Sequence, residues 1–227
     1  MHFTFCYAAG GRMKVILKHP PRRREIVCPM LLTLALLVLS ALFGRLLFLS
    51  KQLPTVPLFR VPAVYRALKT ELECFPVSQV EETWFADSWM AVRTYGGERR
   101  HEGCDIFDVE GEEGRLTVCS ASDGTVEKLG WLELGGYRVG IRTRTGLYFY
   151  YAHLAEYAPG LAVGQKIHAG EPIGTMGSTG YGKEGTSGSF AVHLHFGIYV
   201  SDKERERSIN PYPFLKKVVT LEETMLQ

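Results

Sequence analysis

The chain has 227 residues, 46% apolar and 22% charged, which suits one folded domain with an appendage rather than two catalytic domains. A disordered or collagen-like chain is excluded by the same figures. The net charge of +2 conceals a strong polarity: six Lys or Arg precede residue 26 against Glu25 alone, and the 20 basic and 23 acidic residues that follow provide no basic face for nucleic acid.

The basic residues stand directly before Ile26–Gly44, 19 residues without a charge, and the apolar run resumes after Arg45 up to Lys51. About 20 apolar residues cross a hydrocarbon core of roughly 30 Å. Residues 26–50 are therefore predicted to be a transmembrane signal-anchor. Residues 1–25 form a basic tail, cytoplasmic by the excess of Lys and Arg, and the C-terminal bulk lies outside the cell membrane. A cleaved signal peptide is the rival reading, since Val38 and Ser40 fit the small-residue rule, but cleavage there would leave an apolar ALFGRLLFL terminus. The first twelve residues carry no pattern and precede Met13-Lys14, which makes Met13 a candidate start.

Beyond the apolar run, Pro54 and Pro57 read as a stalk. Val61, Val64, Tyr65, Leu68 and Leu72 then recur at helical spacing down to about Cys74, so a short helix is expected to pack on the domain or on a partner. The aromatic stretch with Trp84, Phe85, Trp89 and Tyr95 has no period and closes at Gly96-Gly97; it reads as an irregular lead-in, giving a stalk and lead-in segment over 51–96. From about residue 97 to 217 the pattern is mainly β. Strands are expected at Cys104–Phe107, Leu116–Ser120, Gly124–Leu132, Tyr137–Thr143, Leu147–His153, Pro172–Thr175 and Val192–Val200, joined by glycine turns into a compact antiparallel sheet or sandwich. Residues 218–227 are left as a C-terminal tail.

Cys74, Cys104 and Cys119 fall in the exported part, and no CxxC pair occurs, so a cysteine metal cluster is unsupported. An oxidising exterior would permit a disulfide, for which Cys104 and Cys119 are the plausible pair.

Histidine carries the chemistry. In His193-Leu194-His195 a strand would turn both imidazoles to one face, with Val192, Leu194 and Phe196 on the other. In His101-Glu102-Gly103-Cys104-Asp105 an extended segment aligns 101, 103 and 105 and turns Cys104 away, which makes the thiol a poor ligand candidate. His153 ends the strand GLYFYYAHL and would share its face with Phe149 and Tyr151. Each of these is a weak signal by itself. Together they supply an oxygen donor and several imidazoles to one small β domain, and His101, Asp105 and one histidine of the HxH pair would satisfy the three-ligand requirement of catalytic zinc. Two histidines would remain for proton handling and oxyanion stabilisation, the inventory of a metal-assisted amide hydrolase. There is no HExxH or GxSxG motif, His168 has no assigned role, and Glu102 and Asp108 read as solvated acids.

The phrases HEGCDI, YAHL and HLHFG, in that order, resemble the LytM or lysostaphin-type zinc endopeptidases, supported by DGTVEKLGW, GQKIHAGEPIGTMGSTG and INPYPFL over about Gly97 to Leu215. The resemblance implies one Zn2+ per chain held by His101, Asp105 and His195, with His153 and His193 as the catalytic pair. It implies a substrate among the stem or cross-bridge peptides of peptidoglycan, cut by a zinc-activated water. Some relatives of this type have lost their metal ligands and act as scaffolds or activators. A peptidoglycan-binding scaffold in a cell-wall, division or sporulation complex is therefore the alternative.

Overall fold

The computed structural model describes residues 36–42, 61–202 and 205–225. The chain divides into two units, Met1–Leu53 and Pro54–Gln227. In the first, residues 36–42 are helical. The rest of the expected membrane span, the basic tail and Met13 lie outside the described residues, and among these no helix is long and apolar enough to cross a membrane.

The described part of the second unit starts at α1 (Val61–Glu71), whose spacing places Val64, Ala67 and Leu68 against the apolar core, with Leu68 only 1% exposed. This helix packs on its own domain: the Tyr65 ring lies 5.5 Å from that of Phe214. The lead-in is more ordered than its sequence suggested. Phe75 and Val77 enter the core, a 3-10 turn spans Val80–Glu82, and three short strands follow: β1 (Thr83–Phe85), β2 (Val92–Arg93) and β3 (Arg99–Arg100).

All seven expected strands form: β4 (Cys104–Asp108), β5 (Thr117–Cys119), β6 (Gly124–Leu132), β7 (Gly136–Arg142), β8 (Leu147–Tyr157), β10 (Pro172–Met176) and β11 (His193–Asp202). The structure adds β9 (Lys166–Ile167), β12 (Arg205–Ile209) and a closing helix, α2 (Tyr212–Met225), which extends into the expected tail. Pro211 precedes that helix, and the Asn210 Oδ1 accepts from the Tyr212 N–H at 3.0 Å, supplying one of the acceptors a helix start needs.

Every pairing is antiparallel, in the order β1-β4-β11-β8-β7-β6-β9. Strand β8 is long enough to serve two neighbours on one edge, pairing with β11 over Leu147–Ala152 and with β10 from Leu154 to Tyr157. The N-terminal part of β11 meets β4 and its remainder meets β12. Alternation along these strands separates two faces. Cys104 and Ile106, Phe149 and Tyr151, and Leu194, Phe196 and Ile198 are all wholly buried and share a core with Leu116, Val118, Ile173 and Met176. The residues between them face a cleft.

The topology also separates the cysteines expected to pair. Cys104 lies on β4, flanked by β1 and β11, whereas Cys119 lies on β5 beside β10. The expected disulfide is not formed: the Cys104 Sγ donates to the Ala86 carbonyl at 3.4 Å, and the Cys119 Sγ lies 2.9 Å from the Ser78 Oγ.

Candidate active site

The register brings three site positions on β4 and β11 together. His195 pairs with Asp105, and His193 pairs with Phe107, so Asp105, His193 and His195 rise from one face of adjacent strands. His101 enters from the segment just before β4. Its Nε2 lies 2.9 Å from the Asp105 Oδ1 and 2.8 Å from the His195 Nδ1, and the His195 Nδ1 lies 3.1 Å from the same carboxylate oxygen. Gly103 makes this convergence sterically feasible, because a Cβ there would fall 2.6 Å from the His195 Cε1 and 2.7 Å from the Phe196 carbonyl oxygen.

Outer contacts orient these groups. The His101 Nδ1 lies 2.8 Å from the Ser88 carbonyl oxygen. A carbonyl only accepts, so Nδ1 carries the proton and the Nε2 lone pair faces Asp105. Arg93 on β2 donates to the Asp105 Oδ2 at 2.5 Å, leaving Oδ1 for the cluster. Burial alone would raise the Asp105 carboxyl, but the His101 and His195 rings set against it, with His193 beyond, hold it well below the usual carboxylate range. Two imidazole nitrogens and one carboxylate oxygen, all within 4.8 Å of one another, form a donor set suited to a cation. Tetrahedral zinc with bonds of about 2.0–2.1 Å has ligand-to-ligand edges of about 3.3 Å, a few tenths wider than the separations here.

The other two histidines flank this cluster. The His193 Nε2 lies 3.8 Å from the Asp105 Oδ1, and the His153 and His193 ring centroids are 4.7 Å apart. Each donates Nδ1–H to a carbonyl, His153 to Thr179 and His193 to Ala191, both at 2.7 Å, which leaves Nε2 as the free nitrogen of each ring. Burial depresses both, His153 strongly, and the neighbouring histidines add to the effect on His153. Both are neutral bases at pH 7.

Residues 99–211 match peptidase family M23. The chain belongs to that family. Over 142 residues, 63% of its length, it is 42% identical to the L-Ala–D-Glu endopeptidase of Bacillus subtilis, and over 118 residues, 51% of its length, 34% identical to the glycyl-glycine endopeptidase ALE-1 of Staphylococcus capitis. It covers 42% and 29% of these proteins, less than half of either. A solved structure from Ruminococcus gnavus, named as a glycyl-glycine endopeptidase LytM, superposes with a TM-score of 0.63 at 46% identity, covering 68% of this chain and 63% of that one.

Within the M23 domain one expectation about strand faces is overturned. Simple alternation would have put His153 with Phe149 and Tyr151, which are buried in the core. Instead His153 lines the cleft beside Tyr150 and Ala152, because β8 carries a bulge there: Tyr137 of β7 pairs with Leu154 while Val139 pairs with Tyr151. The extra residue is His153 itself, in the left-handed conformation at φ 64°. Among the described residues the other non-glycine positions with positive φ are Met90 and Tyr181, and Tyr181 also lines the cleft. Such strain concentrates where a fold holds functional groups in place.

Cys104 is turned into the core as alternation predicted, and burial, with Asp105 and Asp87 adding to it, pushes its thiol up to about 12. Asp108 departs from expectation. It is buried rather than solvated, paired with Arg115 and accepting the backbone N–H groups of Glu110 at 3.0 Å and Glu112 at 3.2 Å. Glu102 is exposed, and His168 is exposed beside Asp123. The residues that sequence reasoning passed over are Ser88, Arg93 and Tyr181. The only hint was Gly96-Gly97, the turn of the β2–β3 hairpin, with φ values of 72° and 111°.

Proposed function

We propose that this protein is a membrane-tethered, extracytoplasmic zinc endopeptidase that hydrolyses peptide bonds of peptidoglycan, with His101, Asp105 and His195 holding the metal and His153 and His193 acting on the substrate. The convergence of three metal donors beside two neutral imidazoles carries this reading. The names of the relatives, an L-Ala–D-Glu and a glycyl-glycine endopeptidase, support the substrate class. The charge-free run Ile26–Gly44 behind a basic tail supports the tether.

Bound zinc would lower the pKa of a coordinated water to about 7 and polarise the scissile carbonyl. The chain's own residues supply the proton handling. With Nδ1 of both rings committed to carbonyls, the Nε2 of His193 or His153 accepts a proton from the attacking water. The resulting imidazolium then donates toward the oxyanion or the leaving amine. Desolvation of the pair keeps both available as bases in the resting state. The cleft, about 600 Å³, has room for a few residues of peptide.

The test is incubation of the full chain with purified peptidoglycan, reading released peptides by mass spectrometry with zinc and with a chelator. Metal-dependent release of peptides with new amino termini is expected. An unchanged wall in the presence of bound zinc would favour the scaffold reading. The tether is tested separately by protease accessibility of residues 61–225 in intact spheroplasts, where protection would overturn the extracytoplasmic placement.

A further inference from the structure

The β2–β3 hairpin pairs Arg93 directly with Arg99. Like charges opposite one another destabilise a strand pair unless something neutralises them. Arg93 is neutralised by Asp105. Arg99 forms no ion pair among the described residues: its Nη2 donates to the Tyr181 hydroxyl at 3.1 Å, and its Nε is buried without a partner. Its charge thus has no counter-ion among the described residues, and an anionic ligand at its terminal nitrogens would supply one.

The placement of Arg99 is fixed from both sides of the cleft. Tyr181 stacks on Tyr95 with ring centroids 4.1 Å apart and planes 7° apart, and the Tyr95 hydroxyl donates to the Tyr181 carbonyl at 2.7 Å. The hairpin is thereby clasped to Tyr181 in the glycine-rich segment between β10 and β11. The same Tyr181 ring lies 5.9 Å from the Arg99 guanidinium and 6.2 Å from the His153 ring, so Arg99 stands one aromatic ring away from a catalytic histidine. Arg93, Arg99 and Arg100 all line the cleft, whose acids are Asp105, already engaged by Arg93 and the histidines, and Glu102. This wall suits an anion.

We propose that Arg99 is a specificity-determining residue that binds a free carboxylate of the substrate next to the scissile bond, so that the protein acts on acidic stem peptides and not on glycine bridges. The inference rests on the peptidase reading above. A planar carboxylate matches the guanidinium fork, with the terminal nitrogens as donors. Two sources offer this group: the second carboxyl of a glutamate residue in the chain, or the free C-terminus of a short peptide.

The zinc-loaded full chain is given four substrates: a stem peptide containing Ala–D-Glu, its analogue with the free glutamate carboxyl amidated, its analogue with the C-terminus amidated, and pentaglycine. Cleavage constants and equilibrium binding are both measured. The expected result is a preference of about 10- to 100-fold for the peptide with the glutamate carboxylate over its amide, expressed mainly in KM. Arg99→Gln should bring that ratio close to one, Arg99→Lys should restore part of it, and zinc content should be unchanged in both. If the analogue amidated at the C-terminus is the disfavoured one and the glutamate amide is not, the carboxylate bound is the terminal one, and the role of Arg99 stands. Equal handling of the acid and both amides by the wild type, or a preference that survives Arg99→Gln, overturns the proposal. Carboxylate-selective binding that Arg99→Gln abolishes, without any cleavage, would uphold the site while removing the peptidase reading. If Arg99→Gln does not fold, Tyr181→Phe, which deletes the hydroxyl that holds Arg99, should weaken the same preference.

Discussion

His153 reaches the cleft only because its own backbone leaves the strand geometry, and the proton handling proposed for it and His193 depends on that displacement. The division of labour among the five site residues predicts different failures. His193→Ala should keep zinc and lose at least about 100-fold in kcat, the scale of one proton-transfer group, whereas His195→Ala should lose both metal and cleavage. Metal content by mass spectrometry beside activity separates the two, and zinc loss in His193→Ala would show the ligand assignment to be wrong. Gly103→Ala places a methyl group against the His195 ring and the Phe196 carbonyl, and the backbone side of that contact cannot swing away. A fall of at least about 10-fold in zinc affinity, read by competition with a chromophoric chelator, is expected. Both His193 and His195 were legible from strand alternation, and so was the inward turn of Cys104. His153 was legible as a residue but not as a direction, because a bulge shifts the side-chain period and histidine carries no local signal for a left-handed backbone.

At the scale of elements, the strands that could be read are those with several alternating apolar residues between glycine turns. β2, β3 and β9, two residues each, are too short to display any period, and β12, Arg-Glu-Arg-Ser-Ile, has the composition of a surface loop. The pairing that makes them strands comes from neighbours distant in sequence, which no local pattern records. The helix α1 was legible from its spacing, but its partner was not. Leu68 enters the main core, so Leu68→Ala should cost about 2–5 kcal/mol, measured as a lower urea midpoint with little change in slope. A smaller loss, below about 1 kcal/mol, would mean that α1 packs only loosely on the domain.

Among the described residues, buried or half-buried carboxylates paired with arginine contribute to the response to acid, beside the buried histidines of the cleft. Burial would raise the Asp108 carboxyl, but Arg115 and two backbone N–H groups lower it, and Arg142 lowers that of Glu127. Groups whose folded pKa lies below the unfolded value contribute stability above about pH 4, and that stability is lost as pH falls through the lower, folded value. The urea midpoint of chelated protein should therefore drop between pH 6 and pH 3. Arg115→Met should lower it more at pH 6 than at pH 2.5, and an equal shift at both values would remove the ion pair as the cause.

The hairpin that precedes residue 99 has a bearing on how such domains can be exchanged between proteins. The family match begins at residue 99, yet the carbonyl that sets the tautomer of His101 belongs to Ser88 and the guanidinium on Asp105 belongs to Arg93. A recombination or a graft cut at the edge of the match would move all three candidate metal donors and leave two of their supports behind. The inheritable unit of this site is longer than its motif.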